Sequence, residues 1–450
     1  MEDERLIVIG GDAAGMSAAS KAKREVPNLE VIVFEKQDIV SFGLCGIPYY
    51  ISGLIDELDD LIAFTPEEFR ENRDIDVRTN HEVTDINPDG EKVIVKNEND
   101  EEFEMGYDKL LIATGAHPKV PALENMNLDN IFTLHWLEDG RKVKNFIGKE
   151  TPEKVVLTAG YIGLEMAEAF RELGLDVTVA AKHEHVLPMV DEEMAEPIEQ
   201  ELNIQNVKLR KNSTITGFQG DGEGKVRKVI TDDGEIETDF VLLSTGVEPT
   251  TELAENAGVR IGKTDGIIVD ERMETSIEDI YAAGDCVESY NIVSGEKVHI
   301  PLGDTANRQG RVAGTNIVGG NASFPGVLGT AITKIFDLGM ARTGLSESKA
   351  EELGYDYVAP TIEHGTRAFY YPGGDKITLK AIVERDSGRI LGAQMAGKEG
   401  VSQRINVFAS LIYNETPVQE IQNLDFAYAP PYSPAWDPIQ TIAKVASSKL

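Results

Sequence analysis

The stretch Leu6-Ile-Val-Ile-Gly10-Gly-Asp-Ala-Ala-Gly15 decides how this chain is read. Its aliphatic half is a buried strand, its glycines a tight turn, and Met16 to Glu25 a helix of small residues. Val31-Ile-Val-Phe34 is a second strand ending at Glu35, which completes a βαβ unit. Such a turn brings backbone N–H groups up to a pyrophosphate and aims the positive end of the helix at it, so its side chains must be small. Gly10, Ala13, Ala14 and Gly15 meet that requirement, while Asp12 stands where the usual fingerprint has its middle glycine. Glu35 lies about twenty residues beyond Gly15, where a carboxylate accepts hydrogen bonds from a ribose. An ordinary turn followed by a solvated Glu is the plainer alternative, but turn and acid together favour a dinucleotide site.

A similar unit recurs in mid-chain. Lys154-Val-Val-Leu157 is a strand, Ala159-Gly160-Tyr161-Ile162-Gly163 a turn, Leu164 to Glu172 a helix and Val177-Thr-Val-Ala180 a second strand. Thr158 takes the place of the first glycine. No acid follows the second strand; Ala181, Lys182 and His183 come instead. A positive group there suits a ribose phosphate, which favours NADPH over NADH. The alternative leaves Lys182 and His183 as plain surface residues. Glu165 is placed to face a nicotinamide and Tyr161 to shield a flavin face, unless both are packing residues.

Leu110-Leu-Ile-Ala-Thr114-Gly115 and Val241-Leu-Leu-Ser-Thr-Gly246 read as crossings between the two modules. A strand from Ile277 leads to Gly284 and Asp285, and an Asp between strand and helix can hold the sugar-like chain of a flavin dinucleotide. A helix N-cap is the alternative for Asp285 alone; with the first turn, the pair points to FAD. After Gly326 the pattern changes to an α+β unit, with short strands such as Ile377–Val383 and a helix from Gly400 to Tyr413. The expected class is α/β: two Rossmann-like dinucleotide-binding domains and a C-terminal α+β domain. The expected boundaries are 1–113 with 246–325 for FAD, 114–245 for NAD(P)H and 326–450 for the last domain.

The composition agrees. The chain has 450 residues, 41% hydrophobic, with 43 Lys+Arg against 78 Asp+Glu and a net charge of −35. That length suits three domains at roughly 150 residues each, and that hydrophobic content excludes wholesale disorder. The charge opposes binding to nucleic acid or anionic membrane, which both need a positive field. No apolar run approaches the roughly 18 residues of a membrane-spanning helix. The acidic opening, Met1-Glu-Asp-Glu, leads straight into a strand, so no leader and a cytoplasmic location are expected. Two cysteines, Cys45 and Cys286, exclude a disulfide scaffold and leave no metal site to expect.

The segment Ser41-Phe-Gly-Leu-Cys45-Gly-Ile-Pro-Tyr-Tyr50 is the most informative. Cys45 precedes a helix, whose N-terminus lowers a thiol's pKa and stabilises the thiolate that attacks disulfides. No second cysteine is near enough to form a dithiol pair. An inert buried cysteine is the usual fate of a lone one, and the flanking Gly, Pro and Tyr pattern argues against it. Cys286, beside Asp285, reads as packed.

Over its whole length the chain resembles the FAD-dependent pyridine nucleotide-disulfide oxidoreductases. Within them it is similar to the single-cysteine branch, the coenzyme A disulfide reductases and their NAD(P)H oxidase and peroxidase relatives. The resemblance rests on the first glycine turn, the Cys45 segment, Ala113-Thr-Gly115, Gly160-Tyr-Ile-Gly-Leu-Glu165 and Ile280-Tyr-Ala-Ala-Gly-Asp285. Pro301-Leu-Gly-Asp-Thr-Ala-Asn307 and Tyr428-Ala-Pro-Pro-Tyr-Ser-Pro-Ala-Trp-Asp437 complete it. It implies a homodimer whose last domain completes the partner's site, with Tyr370 and Tyr428 reaching the opposite subunit. It also implies a coenzyme A groove lined by Ser17, Lys21, Arg24, Ser41, Arg73, Asn307 and Lys444. Leu44 departs from the Asn that the family carries before its cysteine. Ala13 replaces the peroxidases' His, which counts against peroxidase activity. The implied reaction is NADPH-dependent reduction of coenzyme A disulfide through FAD and Cys45. The alternative is an NAD(P)H oxidase working through a Cys45 sulfenic acid.

Overall fold

The computed structural model describes residues 4–450, so the acidic opening over 1–3 lies outside it. Its first sheet has five parallel strands in the order Ile280–Ala282, Lys109–Ile112, Arg5–Ile9, Glu30–Phe34, Asp76–Arg78. Val8 sits between Val33 and Leu111, and Leu6, Ile7 and Val8 have no exposed surface. Both faces are covered, so the strands are continuous aliphatic runs rather than alternating ones. The chain leaves Arg5–Ile9 toward one side for Glu30–Phe34 and reaches the other side with Lys109–Ile112. Such a switch point opens a crevice beyond the carboxyl ends of the strands. Gly10, Glu35, Ala113 and Ala283 each come directly after those ends.

The first helix runs from Ala13 to Glu25, starting earlier than Met16. A Cβ on Gly15 would collide with the Gly10 carbonyl oxygen. The small residues of this helix have a second cause. The helix Gly303–Ile317 crosses it so closely that a Cβ on Gly310 or Gly314 would strike the backbone of Ala14 or Ala18. The strand expected from Ile277 is shorter, Ile280–Ala282, and a turn rather than a helix follows Asp285.

The second sheet repeats the plan with parallel strands Lys208–Arg210, Asp176–Ala180, Lys154–Thr158, Phe240–Leu243 and Ile131–Thr133. Its helix, Tyr161–Glu172, begins directly after Gly160 rather than at Leu164. A Cβ on Gly163 would meet the Thr158 carbonyl, as at Gly15. The chain enters and leaves this unit through an antiparallel pair, Ala116–Pro118 with Val247–Pro249.

The third unit is an antiparallel sheet whose two longest strands, Lys376–Glu384 and Ile390–Gly397, exceed the short strands expected there. The helices Val401–Tyr413 and Pro438–Ser447 contribute Phe408 and Ile442 to its core. A buried ion cluster fastens this unit to the second. Lys380, 1% exposed, places Nζ at 3.1 Å from Asp191 Oδ2 and 2.5 Å from Glu193 Oε1, and also pairs with Glu347. Among the described residues no helix is long and apolar enough to cross a membrane, and no group of His, Cys, Asp and Glu could hold a metal ion.

Candidate active site

At the first crevice, Asp12 has an extended backbone with φ −110°. Glycine is therefore not required there, although the fingerprint has one. The Phe42 N–H donates to Asp12 Oδ1 at 3.1 Å, and the Ser41 N–H donates to the Gly11 carbonyl at 2.9 Å. The departure from the fingerprint thus ties the glycine turn to the segment carrying Cys45. Glu35 accepts from Gly11 N–H and from Gln37 N–H, each at 2.8 Å. The Asp285 carboxylate has no hydrogen-bond partner among the described residues, while its carbonyl lies 2.7 Å from His299 Nε2. Burial pushes Asp12 and Asp285 up to about 6 and raises Glu35 as well. A glycine cradle at a helix start, an acid at the second strand's end and an unpartnered buried carboxylate fit the pyrophosphate, ribose and polyol of a flavin dinucleotide.

Cys45 lies on a short turn, Leu44–Gly46, ahead of the six-residue helix Ile47–Ser52. Its segment is pinned on the far side too, where Gly43 N–H donates to the Leu61 carbonyl at 2.7 Å and Ala63 N–H to the Ser41 carbonyl at 2.8 Å. Ile47 and Ile51 pack into the core of the second unit. The thiol reaches the surface, but the expected lowering of its pKa does not occur. Surrounding protein pushes it up by desolvation, and the carboxylates of Glu165, Asp285 and Asp12 add to the rise. A six-residue helix supplies too little positive potential to outweigh them. Cys286 is packed out of reach of solvent as expected, with Sγ 3.4 Å from the Ala283 carbonyl and a pKa raised to about 11 by burial.

In the second unit, Thr158 replaces the first glycine for a structural reason. Its Oγ1 accepts from Ser244 N–H at 2.8 Å and lies 2.9 Å from Ser244 Oγ, bridging two strand ends. Glu165 accepts from Thr333 Oγ1 at 2.8 Å, and Tyr161 is half-buried against the second unit's core. Lys182 and His183 are exposed just beyond the Asp176–Ala180 strand, and the first carboxylate after them is the exposed Glu184.

Of the groove residues, Arg24 and Arg73 come together around a cavity of about 670 Å³ with Ser20, Lys23 and Asp74. Arg73 Nη1 donates to Ser20 Oγ at 2.8 Å and its guanidinium lies 4.4 Å from the Phe64 ring centre. Lys21 instead pairs with Glu25, and Ser17 Oγ donates to Asn307 Oδ1 at 2.5 Å. Ser41 stays beside the glycine turn, and Lys444 is exposed on the helix of the third unit. The Tyr370 and Tyr428 hydroxyls are 3.0 Å apart and exposed. They lie on the third unit's surface with exposed Phe369, Tyr432 and Trp436. Sequence reasoning passed over Lys23, which lines the same cavity, because its ion-pair partner, Asp74, comes from a later helix end.

Residues 4–310 match the pyridine nucleotide-disulphide oxidoreductase family, and residues 330–438 match the dimerisation domain of that family. The chain belongs to this family of oxidoreductases, which implies FAD and a nicotinamide cofactor, and its last domain supports assembly as a homodimer. Full-length relatives narrow the likeness. The chain is 41% identical to an NAD(P)H coenzyme A polysulfide/persulfide reductase of Pyrococcus horikoshii, covering 98% of both chains. It is 34% identical to a coenzyme A disulfide reductase of Staphylococcus haemolyticus, covering 97% of this chain and 98% of that one. A solved NAD-dependent persulfide reductase from A. fulgidus superposes with a TM-score of 0.96 at 42% identity, covering 99% of this chain and 83% of that one.

Proposed function

We propose that this protein reduces coenzyme A disulfide to two coenzyme A thiols, with NADPH as electron source, FAD as carrier and Cys45 as the redox-active residue. The observation that carries this reading is the placement of the Cys45 thiol. It is reachable from solvent and has carboxylates of both nucleotide-binding units as its electrostatic neighbours. In this reading FAD lies between Gly10–Gly15, Glu35, Thr114–Gly115 and Gly284–Asp285, and the nicotinamide nucleotide along Gly160–Gly163, Lys182, His183 and Gly246. The domain division is the one expected from the sequence, with FAD held by 1–113 and 246–325.

The Cys45 thiolate attacks one sulfur of the disulfide. A Cys45–coenzyme A bond forms, the original S–S bond breaks, and one coenzyme A leaves as thiolate with the electron pair. FAD, once reduced by NADPH, would supply the two electrons that cleave this mixed disulfide, restoring the Cys45 thiolate and releasing the second coenzyme A thiol. Asp12 holds the Cys45 segment in register with the glycine turn. Arg24 and Arg73 supply local positive charge for the phosphates of coenzyme A on a strongly acidic protein. Tyr370 and Tyr428 of the opposite subunit serve the leaving thiolate as proton donor or hydrogen-bond partner. NADPH is preferred because the second strand ends without an acid and with Lys182 and His183.

Mass spectrometry of the intact protein tests this. A mass increase of one coenzyme A, lost on reduction and absent in Cys45→Ser, is expected. An unmodified Cys45 throughout turnover with coenzyme A disulfide overturns the reading.

A further inference from the structure

The turn that carries Asp285 is held from two sides by one later stretch of chain. Gly284 has φ +90°, and its N–H donates to Gln309 Oε1 at 2.9 Å. Gln309 is 1% exposed on the helix Gly303–Ile317, and its Nε2 donates to Ser289 Oγ at 2.9 Å. With both ends of the amide engaged, its orientation is set. Ser289–Tyr290 pairs with Lys297–Val298, and this hairpin returns His299 to the Asp285 carbonyl, 2.7 Å from Nε2. A carbonyl only accepts, so the His299 ring donates from Nε2. The same helix also touches the start of the first helix. A Cβ on Gly310 would lie 2.2 Å from the Ala14 carbonyl oxygen, and one on Gly284 would lie 2.9 Å from the Ala14 Cβ.

Packing alone does not call for these polar side chains. The helix Gly303–Ile317 already closes on the first helix through Ala306, Gly310, Ala313 and Gly314. An amide buried among such residues is costly unless it is paired. Its pairing, and that of His299, falls on the two backbone groups that flank the Asp285 side chain, the Gly284 N–H and the Asp285 carbonyl. The carboxylate between them has no hydrogen-bond partner among the described residues. A fixed backbone around a free acid is the arrangement of a ligand group set in place beforehand.

We propose that Gln309 and His299 are positioning residues for the flavin dinucleotide. They hold the Asp285 carboxylate at a fixed span from the Gly10–Gly15 turn, so that one molecule meets both. The proposal rests on the reading that FAD lies between those two turns. Neither residue touches the flavin. Each acts through the backbone of Gly284 and Asp285, and the close approach of Gly310 and Gly284 to Ala14 sets the span.

The test follows FAD release from the loaded enzyme by the fluorescence of the freed flavin. Gln309→Leu keeps the bulk, leaves the Gly284 N–H unpaired and speeds release about tenfold, the scale of one buried hydrogen bond left unmade. His299→Leu speeds it about fivefold. His299→Gln keeps an N–H donor for the Asp285 carbonyl and recovers most of that loss. Asp285→Asn speeds release by itself, and adding Gln309→Leu to it costs nothing further, because both act through one contact. A role in folding alone would add its own loss to that of Asp285→Asn. If Gln309→Leu does not fold, His299→Leu in the Asp285→Asn background decides in the same way. Additive double variants, release unchanged in the single variants, or His299→Gln no slower than His299→Leu overturn the proposal. Wild-type enzyme that holds no FAD, or Asp285→Asn that releases it at the wild-type rate, overturns the reading beneath it as well; both are seen without altering Gln309 or His299.

Discussion

The two glycine-turn units are built alike and finished differently. Each has a glycine inside its helix with no room for a side chain against the carbonyl of the preceding strand or turn, at Gly15 and at Gly163. In the first, the second strand ends at Glu35, whose oxygens are both engaged by backbone N–H groups, and a second half-buried carboxylate, Asp285, follows the Ile280–Ala282 strand of the same sheet. In the second, the strand ends in exposed Lys182 and His183, and the threonine before the turn is tied to Ser244. In the proposed reading the common part sets where a pyrophosphate sits. The part after the second strand sets whether a nucleotide is enclosed and kept, or met at an open edge and exchanged.

Cys45→Ser divides the units most sharply. Disulfide turnover falls by more than about a thousandfold, as for loss of any covalent nucleophile. Flavin reduction by NADPH persists, which stopped-flow absorbance checks. Gly15→Val and Gly163→Val come next. The first lowers FAD affinity by about a hundredfold, while the second leaves FAD bound and lowers NADPH affinity on a similar scale. Flavin content and nucleotide titration read both, and loss of FAD from the Gly163 variant would show that the units are not separable.

A pH effect sharpens the contrast further. The folded-state pKa of Asp285 is about 6 against an ordinary 3.8, so without flavin the fold prefers the neutral acid. The cost is absent below the ordinary value and fully present above the raised one. Asp285→Asn therefore stabilises the flavin-free protein by up to about 3 kcal/mol at pH 7 to 8, and the gain fades as pH falls through 6 toward 4. Urea denaturation at several pH values measures it. The smallest effect belongs to the open edge: Lys182→Ala with His183→Ala lowers the preference for NADPH over NADH about fivefold, by analogy with exposed charge–phosphate contacts. Steady-state kcat/KM for the two nucleotides checks that.

What the sequence made legible was local. The strand–turn–helix of the first unit, the acid at its second strand's end and the cysteine segment each lie within a few dozen residues, where spacing alone carries the chemistry. Asp12 was misleading because its partner, Phe42 N–H, is supplied by another loop. Thr158 was equally opaque, since its partner is Ser244. The acidity of Cys45 could not be read, because Glu165 and Asp285 reach it from distant parts of the chain. In the third unit the expected strand Ile377–Val383 lies within Lys376–Glu384, whereas its partner Ile390–Gly397 was not singled out.

The antiparallel pair Ala116–Pro118 and Val247–Pro249 sets a schedule for synthesis. The sheet begun at Arg5–Ile9 lacks its last strand until Ile280–Ala282 has been made, and its first helix lacks its close-crossing cover until Gly303–Ile317 emerges. The second unit, with entrance and exit side by side, has all five strands of its sheet before either arrives. On the ribosome, where chain segments fold as they appear, the sheet that comes second in the sequence has its full set of strands first. The amino-terminal one waits as an unfinished sheet, with Leu6 to Ile9 lacking the cover that hides them in the finished protein.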